Sequence, residues 1–187
     1  MDGYEYVTYE DFGRRFYEIA VTEKRVGDAI GAIAGDEFEM GPMGQGPGKI
    51  AKVTAKVRIQ EPKVVRSDGE LITFAIRIPL EIDMVIDLRI DKPKFVVYGE
   101  IALSATARAA KPLLLILDVQ KPRPSDIEIH VTSKSLRAEL LRVVAGVDAE
   151  VRRFISAHVA GEIDSPESLK AKVIDVAEQL DATWDTM

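Results

Sequence analysis

The sequence predicts an α+β protein built on a long antiparallel meander, and three observations carry that expectation. Helical and strand-like segments fall into separate blocks: helix over residues 1–40, strand over 49–132 and helix again over 133–187, where an α/β protein would alternate them. Every even position from Ile72 to Ile90 is large and apolar, an alternation that only an extended strand makes useful. Short turns such as Asp91-Lys92-Pro93 separate successive strands, and connections that short join antiparallel neighbours.

The first helix is expected to open at Thr8, with Asp11 three residues on in a variant of the capping box. Phe12, Phe16, Ile19 and Ala20 follow at helical spacing, and Val26, Ala29, Ile30 and Ile33 continue the stripe beyond a second turn signal at Thr22. Gly27, Gly31 and Gly35 recur every four residues on one face. Each costs about 1 kcal/mol relative to alanine inside a helix, so either something approaches that backbone closely or Gly35 is a cap and the others are tolerated. Gly41 to Gly48, with four glycines and two prolines, reads as loop. Its sequel Lys49 invites comparison with a phosphate-binding loop, but that motif needs glycine at Met43 and serine or threonine at Ile50.

Ala51, Val53, Ala55, Val57 and Ile59 alternate with Lys52, Thr54, Lys56 and Arg58, a strand with one wet face. Ser67-Asp68-Gly69 marks a turn. The run Ile72, Phe74, Ile76, Ile78, Leu80, Ile82, Met84, Ile86, Leu88, Ile90 implies about 19 residues of strand, roughly 63 Å long. A compact chain of this size is only about 42 Å across. The sheet must therefore coil, the molecule lengthen, or the strand bend at Pro79, which lacks a ladder donor and favours an edge or a kink. Phe95, Val97, Gly99, Ile101, Leu103, Ala105 and Ala107 line one face of the next strand; shorter strands follow at Leu113–Val119 and Ile127–Val131.

The last block is helical. Ser133 or Ser135 caps the first helix, Gly146 ends it, and Asp148 caps a second carrying Val151, Phe154, Ile155, Val159 and Ile163. Ser165-Pro166-Glu167 opens the last, whose stripe is Leu169, Val173, Val176, Leu180 and Trp184. The organisation expected is one domain over 1–187, with a core at 9–163 and a C-terminal amphipathic helix at 164–187.

Composition narrows function. The absence of cysteine excludes disulfides, thiolate metal sites and thiol catalysis, and a net charge of −6 disfavours nucleic acid as a partner. No apolar run is long enough for a membrane-spanning helix, and the acidic start MDGYEYVTYEDF predicts no Sec-type signal peptide. His130 and His158 have no second histidine at metal spacing. Glu81, Asp83, Asp87 and Asp91 share a strand face, where pairing with Lys52, Lys56, Arg58 and Arg108 is a simpler use than cation binding. No nucleophile elbow occurs, and a two-carboxylate glycosidase lacks a sugar-stacking cluster. No catalytic residue, metal or cofactor is expected, and the chain reads as no enzyme.

A helix, then a meander of very long strands with the unbroken apolar face Ile72–Ile90, then helix, resembles the tubular lipid-binding superfamily. That group includes the bactericidal/permeability-increasing-like and the synaptotagmin-like mitochondrial lipid-binding domains. The resemblance spans residues 9–163 and rests on element order. It implies a highly twisted sheet wrapped on a helix and enclosing a lipid groove, here lined by Phe74, Ile76, Ile78, Leu80, Ile82, Met84, Ile86, Leu88, Val97, Ile101 and Leu103. Gly146 departs from the single long helix common in the family. The lack of a signal peptide and of cysteine departs from its secreted members and implies a cytoplasmic relative. The function implied is non-enzymatic binding of a hydrophobic small molecule or lipid, with peripheral membrane contact and homo-oligomerisation both open. The alternative is a ligand-free interaction or scaffold module that self-associates or docks a protein partner along a sheet edge or helix stripe.

Overall fold

A computed structural model describes residues 3–35, 37–45, 47–49, 51–131 and 138–184. Its elements are α1 (Tyr9–Ala20), α2 (Glu23–Ala34), β1 (Glu37–Gln45), β2 (Ala51–Ile59), β3 (Lys63–Ser67), β4 (Thr73–Asp87), β5 (Lys94–Ala110), β6 (Leu114–Val119), β7 (Ile127–His130), α3 (Ala138–Ile163), α4 (Pro166–Lys172), β8 (Val173–Asp175) and α5 (Val176–Trp184). The fold is α+β, as expected. One antiparallel sheet in the order β1-β2-β4-β5-β6-β8, with β3 also on β4 and β7 also on β5, curls into a half-barrel around the helices.

The sheet is built on the β4–β5 ribbon, paired continuously from Thr73↔Thr106 to Val85↔Lys94. Each of these strands is flanked by two shorter strands in tandem. β2 pairs residues 80–87 of β4 and β3 pairs residues 73–77. Along β5, β7 pairs residues 98–101 and β6 pairs residues 105–110. Pro79 lies in the gap between β2 and β3, which explains a proline in a central strand. Its carbonyl accepts from the Gln60 N–H at 2.9 Å on that side, and the donor it lacks would point the same way, where no ladder runs.

The expected strand Ile72–Ile90 is shortened to fifteen residues, about 50 Å at the usual rise. Curling accommodates this length, and β4 runs unbroken through Pro79. Past Asp87 the chain turns, with Arg89 at φ 70°, so Leu88 is half-buried and Ile90 is 100% exposed. Ile90 keeps the parity of the run by coincidence, because the backbone has already left the sheet.

Residues 41–48, expected as loop, mostly belong to edge strand β1. The register with β2 slips between Met40 and Met43, a bulge containing Gly41 at φ 103°. A Cβ on Gly41 would lie 2.5 Å from the Val53 carbonyl oxygen, so the bulge requires glycine. The same feature blunts an edge that would otherwise recruit another strand.

Thr8 and Thr22 cap α1 and α2, accepting from the backbone N–H of Asp11 at 3.0 Å and of Arg25 at 3.3 Å. α2 contributes Val26, Ile30 and Ile33 to the core. α3 contributes Val144, Val147, Val151, Ile155, Val159 and Ile163, one stripe at spacings of three and four. This helix passes through Gly146 and Asp148 without interruption. Neither ends nor caps a helix; Asp148 instead holds Arg152 at 2.8 Å, and Arg152 donates to the Ile127 carbonyl at 2.6 Å, tying α3 to β7. The expected caps Ser133 and Ser135 lie outside the described residues. Ser165 caps α4 as expected. The single C-terminal helix expected over 164–187 is instead α4 and α5 with β8 between them. β8 pairs with β6, so Leu113 and its neighbours gain a ladder that a continuous helix would forgo.

Candidate functional site

The eleven residues expected to line a lipid groove all lie on the concave side, but most are core. Phe74, Ile76, Ile78, Leu80, Ile82, Met84, Ile86, Val97 and Ile101 are at most 3% exposed, and Leu103 is 8%. They form one apolar cluster with the inward stripes of α2 and α3. Apart from Leu103, which edges a cleft between β6 and β7, side chains that water reaches so little line no space large enough for an acyl chain in this conformation. Leu88 packs half-buried at the end of the row. The side chains of the protein's own helices therefore occupy the length of the expected groove.

The convex face carries charge pairing, but among the described residues only Arg58 of the expected cations meets the expected carboxylates; Lys56 pairs with Glu37, Arg108 with Asp118, and Asp87 with Lys92. Arg58 holds Glu81 and, at 2.5 Å, Asp83; Lys56 holds Glu37 at 2.8 Å; Arg77 holds Glu100 at 2.8 Å. Two carboxylates beside it raise the Arg58 guanidinium above its ordinary pKa, the hydrogen bond it donates to Glu81 first. Asp87 sits below the usual carboxylate range because the Lys92 ammonium and then the Arg89 N–H donate to it. Among the described residues no group of three or more histidine, aspartate or glutamate side chains could hold a metal ion. His130 lies 3.6 Å from Glu128 on the surface. His158 packs against Phe38 at 3.9 Å between ring centroids, and Phe38 stacks on Phe154. These aromatic contacts follow from β1, the strand the sequence hid.

Space for a ligand appears at one end of the trough. A cleft of about 320 Å³ opens between α1 and the end of the sheet, lined by Tyr9, Gly13, Tyr17, Leu71, Ile72, Ala107 and Ala109, with Glu10, Glu18, Asp68, Glu70 and Arg14 around it. Its floor has a simple origin. Ile72 and Ala107 lie near the ends of the two inward apolar rows, bonded to each other through the Ala107 N–H and Ile72 carbonyl at 2.9 Å. The β5 row tapers from Ile101 and Leu103 to Ala105, Ala107 and Ala109, and small side chains leave room. That taper was the signal in the sequence.

α1 roofs the cleft without burying a residue; Phe16, Tyr17 and Ala20 are only half-covered. Burial pushes the Tyr17 phenol up in pKa, and its hydroxyl donates to the Arg108 carbonyl at 3.2 Å. The helix is anchored at its C-terminus. Arg66, 17% exposed at its side chain, donates from Nη1 to the carbonyls of Glu18 at 2.8 Å and Val21 at 3.0 Å, and pairs with Asp68 at 2.6 Å. Arg25 adds bonds to the carbonyls of Ile19 and Ala20. Charge-assisted bonds of this kind contribute about 1.5–3 kcal/mol. Arg66→Ala is expected to speed amide hydrogen exchange in α1 by roughly 10–100-fold, since each 1.4 kcal/mol is tenfold, with little change in the β4 and β5 amides. Equal acceleration in both would mean that Arg66 supports the whole fold and not the roof.

Of the glycine stripe, Gly27 faces Val64 of β3 and Gly31 faces Pro62, where an added Cβ would come to 3.5 and 3.9 Å, ordinary contact distances that do not require glycine; Gly35 is the C-cap at φ 73°. A second cleft, about 360 Å³, runs between α2 and the β2–β3 connection. A third, about 490 Å³, fills the gap between β6 and β7 beside Ala102, Leu103 and Ser104. Neither of these is lined by Phe74–Ile86. No helix among the described residues is long and apolar enough to cross a membrane. The chain matches no protein-family model and no curated protein sequence.

Proposed function

We propose that the protein is a non-enzymatic binding module for a hydrophobic ligand, a long-chain lipid in the first instance, taken up at the cleft beneath α1 in a cytoplasmic setting. The observation that carries this reading is the floor of the cleft. Ile72 and Ala107 stand where the apolar rows of β4 and β5 emerge from the filled core, so a chain lying under α1 meets an apolar floor. At about 320 Å³ the cleft stands at the lower end of ligand pockets, which span about 300–1,000 Å³. The half-covered faces of Phe16, Tyr17 and Ala20 are what the ligand would displace, and that exchange is apolar for apolar. The reading keeps the ligand class implied by the resemblance to tubular lipid-binding proteins and moves its seat from the filled trough to the mouth.

A fluorescent fatty acid, with native mass spectrometry and lipid extraction of the recombinant protein, tests it. Ala109→Trp places an indole in the cleft and is expected to weaken fatty-acid binding at least about tenfold, while circular dichroism and thermal melting stay unchanged. A wild-type protein that carries no extractable lipid and takes up no fatty acid would decide against the proposal.

A further inference from the structure

The two ends of the elongated sheet are complementary in shape and charge. At one end the β4–β5 hairpin presents a fully exposed isoleucine, Ile90, at its tip. Around that tip the net charge is positive: Arg89, Lys92, Lys94 and Lys52 outnumber Asp87 and Asp91, and the Asp91 carboxylate accepts from the Lys92 backbone N–H at 2.8 Å. The Arg89 guanidinium and Lys94 make no ion pair among the described residues, and Lys52 stands opposite Asp87 in the adjoining strand. Asp87 itself is occupied by Lys92 at 2.9 Å.

At the other end lies the cleft beneath α1. Its lining is apolar, and its rim carries four carboxylates, Glu10, Glu18, Asp68 and Glu70, against one cation, Arg14. Asp68 is paired with Arg66, but Glu10, Glu18 and Glu70 have no cationic partner among the described residues. One end is thus an apolar knob in a basic collar, and the other an apolar socket in an acidic one.

We propose that a second copy of this chain docks its β4–β5 hairpin into the cleft, with Ile90 against Ile72, Leu71 and Ala107, and Arg89 and Lys94 facing Glu10, Glu18 and Glu70. A chain cannot satisfy its own socket, because the knob and the socket sit at opposite ends of β4, fifteen residues or about 50 Å along the curled strand. The contact is therefore between molecules, and it is heterologous: in a pair, one copy keeps a free socket and the other a free knob, so each end can bind again. Association of that type grows into open head-to-tail chains or rings and does not stop at a two-fold dimer. A hairpin tip covers far less than the roughly 1,200–2,000 Å² of a stable complex, so the chains are weak and form at high concentration. Because unlike charges ring the contact, salt opposes it. The inference uses the cleft of the ligand reading but not its ligand, and a lipid in the cleft would compete with the hairpin.

Sedimentation velocity of the full chain tests it. Between about 10 µM and about 1 mM protein the weight-average mass should rise continuously beyond that of a dimer, and the association constant should fall about tenfold from ~0.05 to ~0.5 M salt. Ile90→Asp, at a position free of packing, should remain monomeric throughout yet bind fatty acid as the wild type does. Arg89→Glu alone and the pair Glu10→Lys with Glu70→Lys alone should each lose association, and mixing the two proteins should restore it. Three results would overturn the inference: a wild type monomeric at every concentration, an Ile90→Asp variant that associates unchanged, or growth that stops at a dimer. Loss of fatty-acid binding in the wild type with association intact would sink the ligand reading and leave this one standing.

Discussion

Ile82→Glu is expected to unfold the protein. Ile82 is fully buried, paired with Val57 on one side and Val97 on the other, and both neighbours are equally buried. The substitution forfeits about 1.5–3 kcal/mol of apolar burial. It also puts a carboxyl group where no hydrogen-bond partner waits, at about 2–7 kcal/mol even when neutral. The sum rivals the whole stability of a typical domain, about 5–15 kcal/mol. Val85→Glu, three residues on and on the convex face, is the matched control and should cost no more than about 1 kcal/mol. Circular dichroism with urea titration reads both. A folded Ile82→Glu variant with a wild-type midpoint would mean that the trough is open and lipid-accessible along its length.

Gly99→Ala should cost about 1–3 kcal/mol, the scale of forced overpacking. Gly99 lies opposite Ile129 in the β5–β7 pair, and a Cβ there would stand 2.7 Å from the backbone carbonyl oxygen of Glu128. A backbone atom cannot swing aside like a side-chain end, so β7 must leave the sheet or β5 must twist. The same change at Gly161, inside α3 with no neighbour within 4 Å, should instead stabilise by up to about 1 kcal/mol through helix propensity. Opposite signs for one chemical substitution would be measured in a single denaturation series. Equal effects would mean that β7 does not pack on Gly99.

The sequence made the centre of this protein legible because alternation is a strong local signal. From Phe74 to Ile86 the period of two sets which side chains are buried, and the structure buries every one. The edges were harder to read because their conformations depend on partners. β1 contains Gly41, Pro42 and Gly44, residues that break an isolated strand but build a bulge once β2 is alongside. Gly146 and Asp148 look like a stop and a start, yet the packing of α3 from Val144 to Ile163 outweighs both. Val173 and Val176 fit a helical stripe, but a free edge on β6 turns residues 173–175 into strand. The candidate site was legible only in part. An apolar face can be read from the sequence, whereas whether helices fill it depends on their placement. The cleft lies where the face runs out into alanines beneath a helix that buries nothing.

The tandem flanking strands give the molecule a waist. The gap between β2 and β3 falls beside residues 78–79 of β4, and the gap between β6 and β7 beside residues 102–104 of β5, which pair with residues 75–77 of β4. The two interruptions are adjacent but staggered: beside residues 78–79 of β4 the ribbon still carries β7 on Glu100 and Ile101, and beside residues 102–104 of β5 it still carries β3 on residues 75–77 of β4, so the sheet narrows there to three strands. On one side stand β1, β2 and β7, with α3 on them; on the other stand β3, β6 and β8, with α2, α4 and α5. Two five-stranded plates share a single two-stranded beam. Torsion at this narrowing strains fewer ladder bonds than elsewhere in the sheet, and the contacts of α2 and α4 with α3 across it set how stiffly the two sides move together.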